Sequence, residues 1–429
     1  VLADASRQVN ARRPQANRLV ADIGDMLRLE RWAPYALIGL LAAWIATFAD
    51  SSADWKVDAQ PAVEALAHGR VDDYLGADAL MGPFATLIQA PFLALSNTSG
   101  NAAYPWAVFP CLLIAGFVGL YLSRIAGRRG AGRLAQGLIA VLVLLNPLTF
   151  EAIENGHPEE ILTAALAIGA VAAAVEHRAR RAALLLGLAI ASKQWAVIAV
   201  LPTLMALPAA RLRSAALAAL VAAALFLPAV IASPSSFLGV QGQAAGTGQV
   251  VTLWSAWYPG ATAETEVYMV DGRRLVAEVE NAPSLADPLS HPLIVLLALA
   301  VPLAVGFRRG LPLGGSEAFA LLALLALLRC VLDPVDNLYY HEPLLLALIG
   351  WDAVTARGLP LRSLLGAGIA LLFWRAWHDL SDPVAFNLVY LSVAAGLCFA
   401  LLSSLFRPIH WTGVPVQSLF AARSPNFRD

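Results

Sequence analysis

Long apolar runs alternating with short polar connections dominate the chain. A helix crossing about 30 Å of hydrocarbon needs roughly 20 mostly apolar residues, and such runs lie near 32–49, 104–123, 134–150, 159–176, 213–232, 291–307, 316–332, 343–356, 361–377 and 383–406. The pattern predicts an all-α polytopic membrane protein of about 10–12 transmembrane helices with added re-entrant or juxtamembrane helices. The first run follows about thirty polar, arginine-bearing positions with no cleavage site after it, so it reads as a retained anchor rather than a signal peptide. One stretch breaks the alternating pattern in 233–290: ETEVYMVDGRRLVAEVE alternates on both sides of Asp271-Gly272, which predicts a small outer two-stranded hairpin near 264–280.

Composition agrees with the pattern and narrows it. Apolar side chains make up 59% of 429 residues and charged ones 14%, and mean hydropathy is +0.67, outside the range of soluble domains. With 29 basic against 30 acidic residues and no basic cluster interleaved with aromatics, a nucleic-acid partner is excluded. Cys111, Cys330 and Cys398 lie in separate apolar stretches without CxxC spacing, so neither a disulfide framework nor a zinc site is indicated. No metal or other cofactor is expected.

The distribution of charge sets an expected topology. Of the 27 arginines, 22 fall in one alternate set of connections, whereas 22 of the 30 carboxylates fall in the other. By the positive-inside bias the arginine side is cytoplasmic, which places both termini inside an integral plasma-membrane protein. The expected segments are a cytoplasmic 1–31, a membrane module 32–232 with a first outer loop 50–103, a large outer loop 233–290, membrane helices 291–406 and a cytoplasmic tail 407–429. Keeping the alternation requires two short arms, about 182–192 and 195–208, joined at Ser192-Lys193-Gln194. At 1.5 Å per residue they rise only about 17–21 Å, so the turn is expected below the outer surface, lining a cavity where a charge is tolerated at depth. The same requirement makes 80–95, broken by Pro83 and Pro91, an outward re-entrant or surface-lying pair of helices.

The polar clusters all fall on the expected outer side: ADWKVD at 53–58, ENGHPEE at 154–160, SKQW at 192–195, DPVDNLYYHEP at 333–343 and WHDLSDP at 377–383. One external site is the economical reading. Asp54 and Asp58 project from one helical face, which suits a base and its orienting partner; a solvated acidic helix start is the other reading. Lys193 is one of two lysines in the chain, and a cation at depth points to function or to pairing with a carboxylate. His157, Glu159 and Glu160 can contribute to a site or form a Pro-Glu-Glu helix start. Arg329 stands four residues before Asp333, the spacing of a local ion pair. Gln194, Tyr339, Tyr340, His341 and Trp257 are candidate substrate contacts, with membrane-belt aromatics the alternative for the rings.

The order of these features resembles the GT-C superfamily, and glycosyltransferase family 87 within it, the polyprenyl-phosphate-mannose-dependent mannosyltransferases. DWKVDAQPAVEALAHG resembles the outer loop after that family's first span, with Asp54 at its aspartate and Gly69 at its glycine. YLGADALMGPFATLIQAPF looks like its Tyr-Pro-Pro helix, with Met81-Gly82 in place of Tyr-Pro. ENGHPEEILTAAL is similar to its Asn-Gly-Gln segment, with His157 in place of Gln. RRAALLLGLAIASKQWAVIAVLP is similar to its Gly-x-x-x-Gly-x-Ala-x-x-x-Lys stretch, with Lys193 at the lysine. DPVDNLYYHEPLLLAL resembles a late outer motif. The likeness covers about 32–210 closely and 316–350 loosely.

The resemblance implies a GT-C-like helical fold that moves a sugar, mannose or a similar hexose or pentose, from a polyprenyl-phosphate donor to an outer-leaflet glycolipid or glycan acceptor of the cell envelope. Asp54 would be the base of an inverting reaction, with Lys193 and Arg329 on the donor phosphate; a retaining reaction would need a second, nucleophilic carboxylate, for which Asp58 is the candidate. Two alternatives stay open. A lipid-linked-substrate transporter or flippase suits broken helices and a lysine at depth, and a non-catalytic protein of the same fold would look identical in sequence.

Overall fold

The computed structural model describes residues 29–50, 53–77, 81–234, 263–270, 273–280, 286–333, 337–355, 357–378 and 383–406. The chain is a multi-span helical bundle. Among the described residues, seven helices are long and apolar enough to cross a membrane, and 32–46, 83–96 and 194–206 form shorter apolar ones.

The first half builds the frame of the site. α1 (Leu29–Ala46) leads to three short helices, α2 (Ala53–Asp58), α3 (Gln60–Ala67) and α4 (Val71–Gly76). After α3 the chain turns at Gly69, whose φ of +70° favours glycine, and Arg70 donates its backbone N–H to Ala65. α5 (Pro83–Ser96) follows, and this corrects the expected broken pair in 80–95: the helix is continuous. Pro83 sits in its first turn, where an amide hydrogen is not needed, and Pro91 is accommodated inside the helix. α6 is Tyr104–Arg128.

The apolar run near 134–150 is interrupted because Asn146-Pro147 restarts the helix. α7 (Arg133–Leu142) ends, and α8 (Pro147–Glu154) begins with the Asn146 side chain accepting from the amides of Leu148 and Thr149. Gly156, at φ +86°, reverses the chain into α9 (Pro158–Val175), every residue of which is buried. α10 (Ala179–Ser192) stops at Lys193, whose backbone is extended; a 3-10 segment, Gln194–Ala199, and α11 (Val200–Ala206) continue the short second arm.

α12 (Arg211–Ala232) completes the first half. β1 (Ala263–Val270) and β2 (Arg273–Glu280) pair antiparallel, Val267 opposite Val276; the Asp271-Gly272 turn lies outside the described residues. α13 (Ala286–Arg309), α14 (Gly315–Leu332), a 3-10 turn (Leu338–His341), α15 (Glu342–Thr355), α16 (Leu361–His378) and α17 (Pro383–Phe406) follow. Glu342 at the start of α15 accepts from Asn146 Nδ2 at 3.1 Å and Thr149 Oγ1 at 3.2 Å, tying α15 to the start of α8.

Candidate functional site

Four segments far apart in sequence meet around the start of α9. Helix α2 is docked there by Trp55, which is fully buried with its ring 5.0 Å from Tyr104; the Tyr104 hydroxyl donates to Ile153 O at 2.5 Å. With Trp55 pointing inward, its neighbour Asp54 points outward, and the side chain is 58% exposed. The carboxylate is therefore both fixed at its root and open to an incoming molecule.

The Gly156 turn and Pro158 leave His157 just ahead of α9, and Glu159 and Glu160 fill the first helical turn, where the dipole favours carboxylates. His157 lies between two acids: Nε2 is 3.5 Å from Asp54 Oδ2, and Nδ1 is 3.0 Å from Glu159 Oε1. Burial works against its charge, but Glu159 and hydrogen bonds to Asp54 and Glu159 prevail and hold its pKa at about 9. Burial raises the Asp58 carboxyl to about 6, with His157 opposing and Asp54 adding to the rise.

The turn after α10 closes the next side. Lys193 Nζ donates to Glu159 Oε1 at 2.7 Å and lies 3.4 Å from Glu160 Oε1. Trp195 Nε1 donates to Glu160 Oε2 at 2.7 Å. Helix α5 is pinned to this turn through Gly82, whose amide donates to Ser192 O at 2.9 Å. A Cβ at position 82 would lie 2.2 Å from Ala191 O, so glycine is required there by close approach of two backbones.

The fourth segment comes from the end of α14 and the 3-10 turn after it. The Arg329 guanidinium lies between the rings of Trp195, at 4.9 Å, and Tyr340, at 4.5 Å, a cation–π arrangement. Its Nε is 3.9 Å from Asp333 Oδ2. Among the described residues its buried Nη1 has no hydrogen-bond partner. Tyr339 stacks on His157 at 5.1 Å and 26°, and meets Tyr340 edge-on at 4.9 Å. The site is thus a contiguous network from Asp54 through His157 to Glu159 and Lys193, and through Tyr339 and Tyr340 to Arg329.

Of the residues singled out in the sequence, Asp54, Asp58, His157, Glu159, Lys193, Arg329, Tyr339 and Tyr340 converge. Gln194 is exposed at the start of its 3-10 segment. His341 faces elsewhere: Nε2 is 2.9 Å from the Tyr390 hydroxyl, and the residue borders an apolar cavity of about 240 Å³ between α15, α16 and α17. Trp257 lies outside the described residues. Trp195 lies in the SKQW cluster and Glu160 in the ENGHPEE cluster, but the hydrogen bond that joins them spans more than thirty residues and has no local signature.

The model of glycosyltransferase family 87 matches residues 80–334, more than half of the chain. The chain belongs to glycosyltransferase family 87. The matched stretch contains His157, Glu159, Lys193 and Arg329 and leaves out Asp54, Asp58, Tyr339 and Tyr340. Among solved structures the chain is similar to ArnT from Cupriavidus metallidurans bound to undecaprenyl phosphate, with 14% identity over 89% of this chain and 73% of that one and a TM-score of 0.48. No curated protein matches the chain.

Proposed function

We propose that this membrane glycosyltransferase moves a sugar, mannose or a similar hexose or pentose, from a polyprenyl-phosphate donor to a hydroxyl of an outer-leaflet glycolipid or glycan, with inversion. The observation that carries this reading is the pairing within one network of an exposed, anchored carboxylate, Asp54, and a buried guanidinium, Arg329, whose Nη1 lacks a hydrogen-bond partner among the described residues. As the acceptor oxygen attacks the anomeric carbon, its proton passes to Asp54. The bond from that carbon to the phosphate oxygen breaks, and the polyprenyl phosphate departs as an anion that needs a cation more than a proton. Arg329 supplies that charge together with unused hydrogen-bond donors. Lys193 holds Glu159 and Glu160 in place and adds its field at one remove.

Asp58, on the same face of α2, supports Asp54 rather than acting as a nucleophile. Gln194 and Trp257 stand as acceptor or sugar contacts. The site faces outward from the plasma membrane, and the arginine-rich connections face the cytoplasm.

The test is transfer itself. Purified protein given a polyprenyl-phosphate mannose and a glycolipid acceptor should release polyprenyl phosphate and form a product whose anomeric configuration, read by NMR, is opposite to the donor's. Retained configuration would move the nucleophile to Asp58. Movement of intact lipid across a proteoliposome bilayer without sugar release would establish the transporter reading instead. Sidedness is checked with a Cys398→Ser background: a cysteine at Ser99 should be labelled from outside, and one at Gly132 only after permeabilisation. Reversed labelling would remove the external site.

A further inference from the structure

Building on Asp54 as the base, we infer that His157 is a charged clamp that positions Asp54 for proton transfer, donating from both ring nitrogens at once and taking no proton itself during the reaction. The geometry carries the inference. A neutral imidazole has one N–H, so one nitrogen would present its lone pair to a neighbouring acceptor. Here each nitrogen faces a carboxylate oxygen, Asp54 at 3.5 Å and Glu159 at 3.0 Å, and only the doubly protonated ring satisfies both.

The rest of the surroundings agree. The charged and titratable groups facing the ring are Asp54 and Asp58 from α2, Glu159 from α9, Lys193 from the turn after α10, and the Tyr339 ring stacked on its face. Three of these are carboxyl groups and one is a cation, so the ring's positive charge offsets a local excess of negative charge. Tyr339 limits the ring's freedom to tilt, and Glu159 fixes its far nitrogen. Since Lys193 also donates to Glu159 Oε1, the clamp is anchored to the turn that stands beside Arg329.

A histidine rather than an amide at position 157 is what makes this role sensitive to pH. A glutamine amide can reach one carboxylate but holds no titratable proton. With His157 the restraint on the base is pH-dependent. In the reaction the acceptor's proton goes to Asp54, the new bond forms at the anomeric carbon, and the phosphate leaves; His157 keeps both protons throughout.

The test is the pH dependence of transfer. In the parent, kcat should fall as His157 loses a proton near pH 9, because the neutral ring releases one carboxylate and Asp54 swings out of line. Misplacement on the scale of 1 Å can cost about 100-fold, so the fall is expected to be about 10- to 100-fold. His157→Gln should show a lower kcat at pH 7, a donor KM changed less than twofold and no alkaline fall to pH 10. The 15N spectrum of the parent at pH 7 should contain one histidine, absent from His157→Gln, with both ring nitrogens protonated, a readout that does not depend on turnover. An alkaline fall that persists in His157→Gln, or a His157 with a single N–H at pH 7, would overturn the clamp. Should Asp54→Asn transfer sugar at the parental rate, the base assignment itself would fail, and that outcome is separable from the two above.

Discussion

The two walls of the site use their cations in opposite ways. On the wall built from the start of α9 and the turn after α10, the charge of Lys193 is taken up by two buried carboxylates, Glu159 and Glu160. On the wall from the end of α14, Arg329 lies between two aromatic rings, with its nearest carboxylate contact at 3.9 Å and Nη1 unpartnered among the described residues. A cation matched by two acids is structural first. In the proposed reaction a buried cation with an unused donor is prepared for the phosphate, whose arrival would offset the cost of burying it.

Removing one partner of a buried ion pair typically costs about 3–5 kcal/mol, so Lys193→Ala should lower the thermal midpoint and the yield of folded protein before any change in chemistry is read. Retention of the parental midpoint together with a loss of donor binding would mean that Lys193 meets the phosphate and Arg329 does not.

Arg329→Gln should show the reverse. A hydrogen bond to a charged group contributes about 1.5–3 kcal/mol, so affinity for polyprenyl phosphate should weaken about 10- to 100-fold with a smaller change in thermal midpoint. Equal affinity in the variant and the parent would assign the phosphate to other groups. A smaller effect is expected at the hinge between α5 and the lysine turn: Gly82→Ala drives a methyl into Ala191 O and Ser192 O, and overpacking of this kind costs about 1–3 kcal/mol. Transfer by that variant should drop as the lysine turn shifts, and an unchanged rate would detach the turn from the site.

The sequence made the helical class, most of the long apolar helices and the short two-armed break at Lys193 legible, because hydropathy and charge are strong signals over whole helices; against about 10–12 expected spans, seven of the described helices are long and apolar enough to cross a membrane. It also singled out most of the side chains that the fold gathers around the start of α9, the candidate site, since polar clusters are rare in so apolar a chain. Pairings were harder to see. That His157 joins Asp54 to Glu159, or that Trp195 and Glu160 form a hydrogen bond, depends on tertiary contacts with no local signature. His341 illustrates the limit from the other side: it sits one residue from Tyr340, yet the 3-10 turn directs it toward Tyr390. Gly82, which stood out only as a departure from the family's Tyr-Pro, acquires a reason once Ser192 O is found against its amide, since proline there would have no N–H to donate.

General-base assistance is typically worth about 10²–10⁴-fold, and Asp54→Asn keeps the shape of the side chain while removing its capacity to accept a proton. Measured beside Asp58→Asn in a single assay of sugar leaving a polyprenyl-phosphate donor, Asp54→Asn should lose about 100-fold or more in kcat with donor affinity and thermal midpoint retained, and Asp58→Asn should lose far less. Equal and small losses in the two variants, or a larger loss at Asp58, would contradict the assignment of Asp54 as the catalytic base.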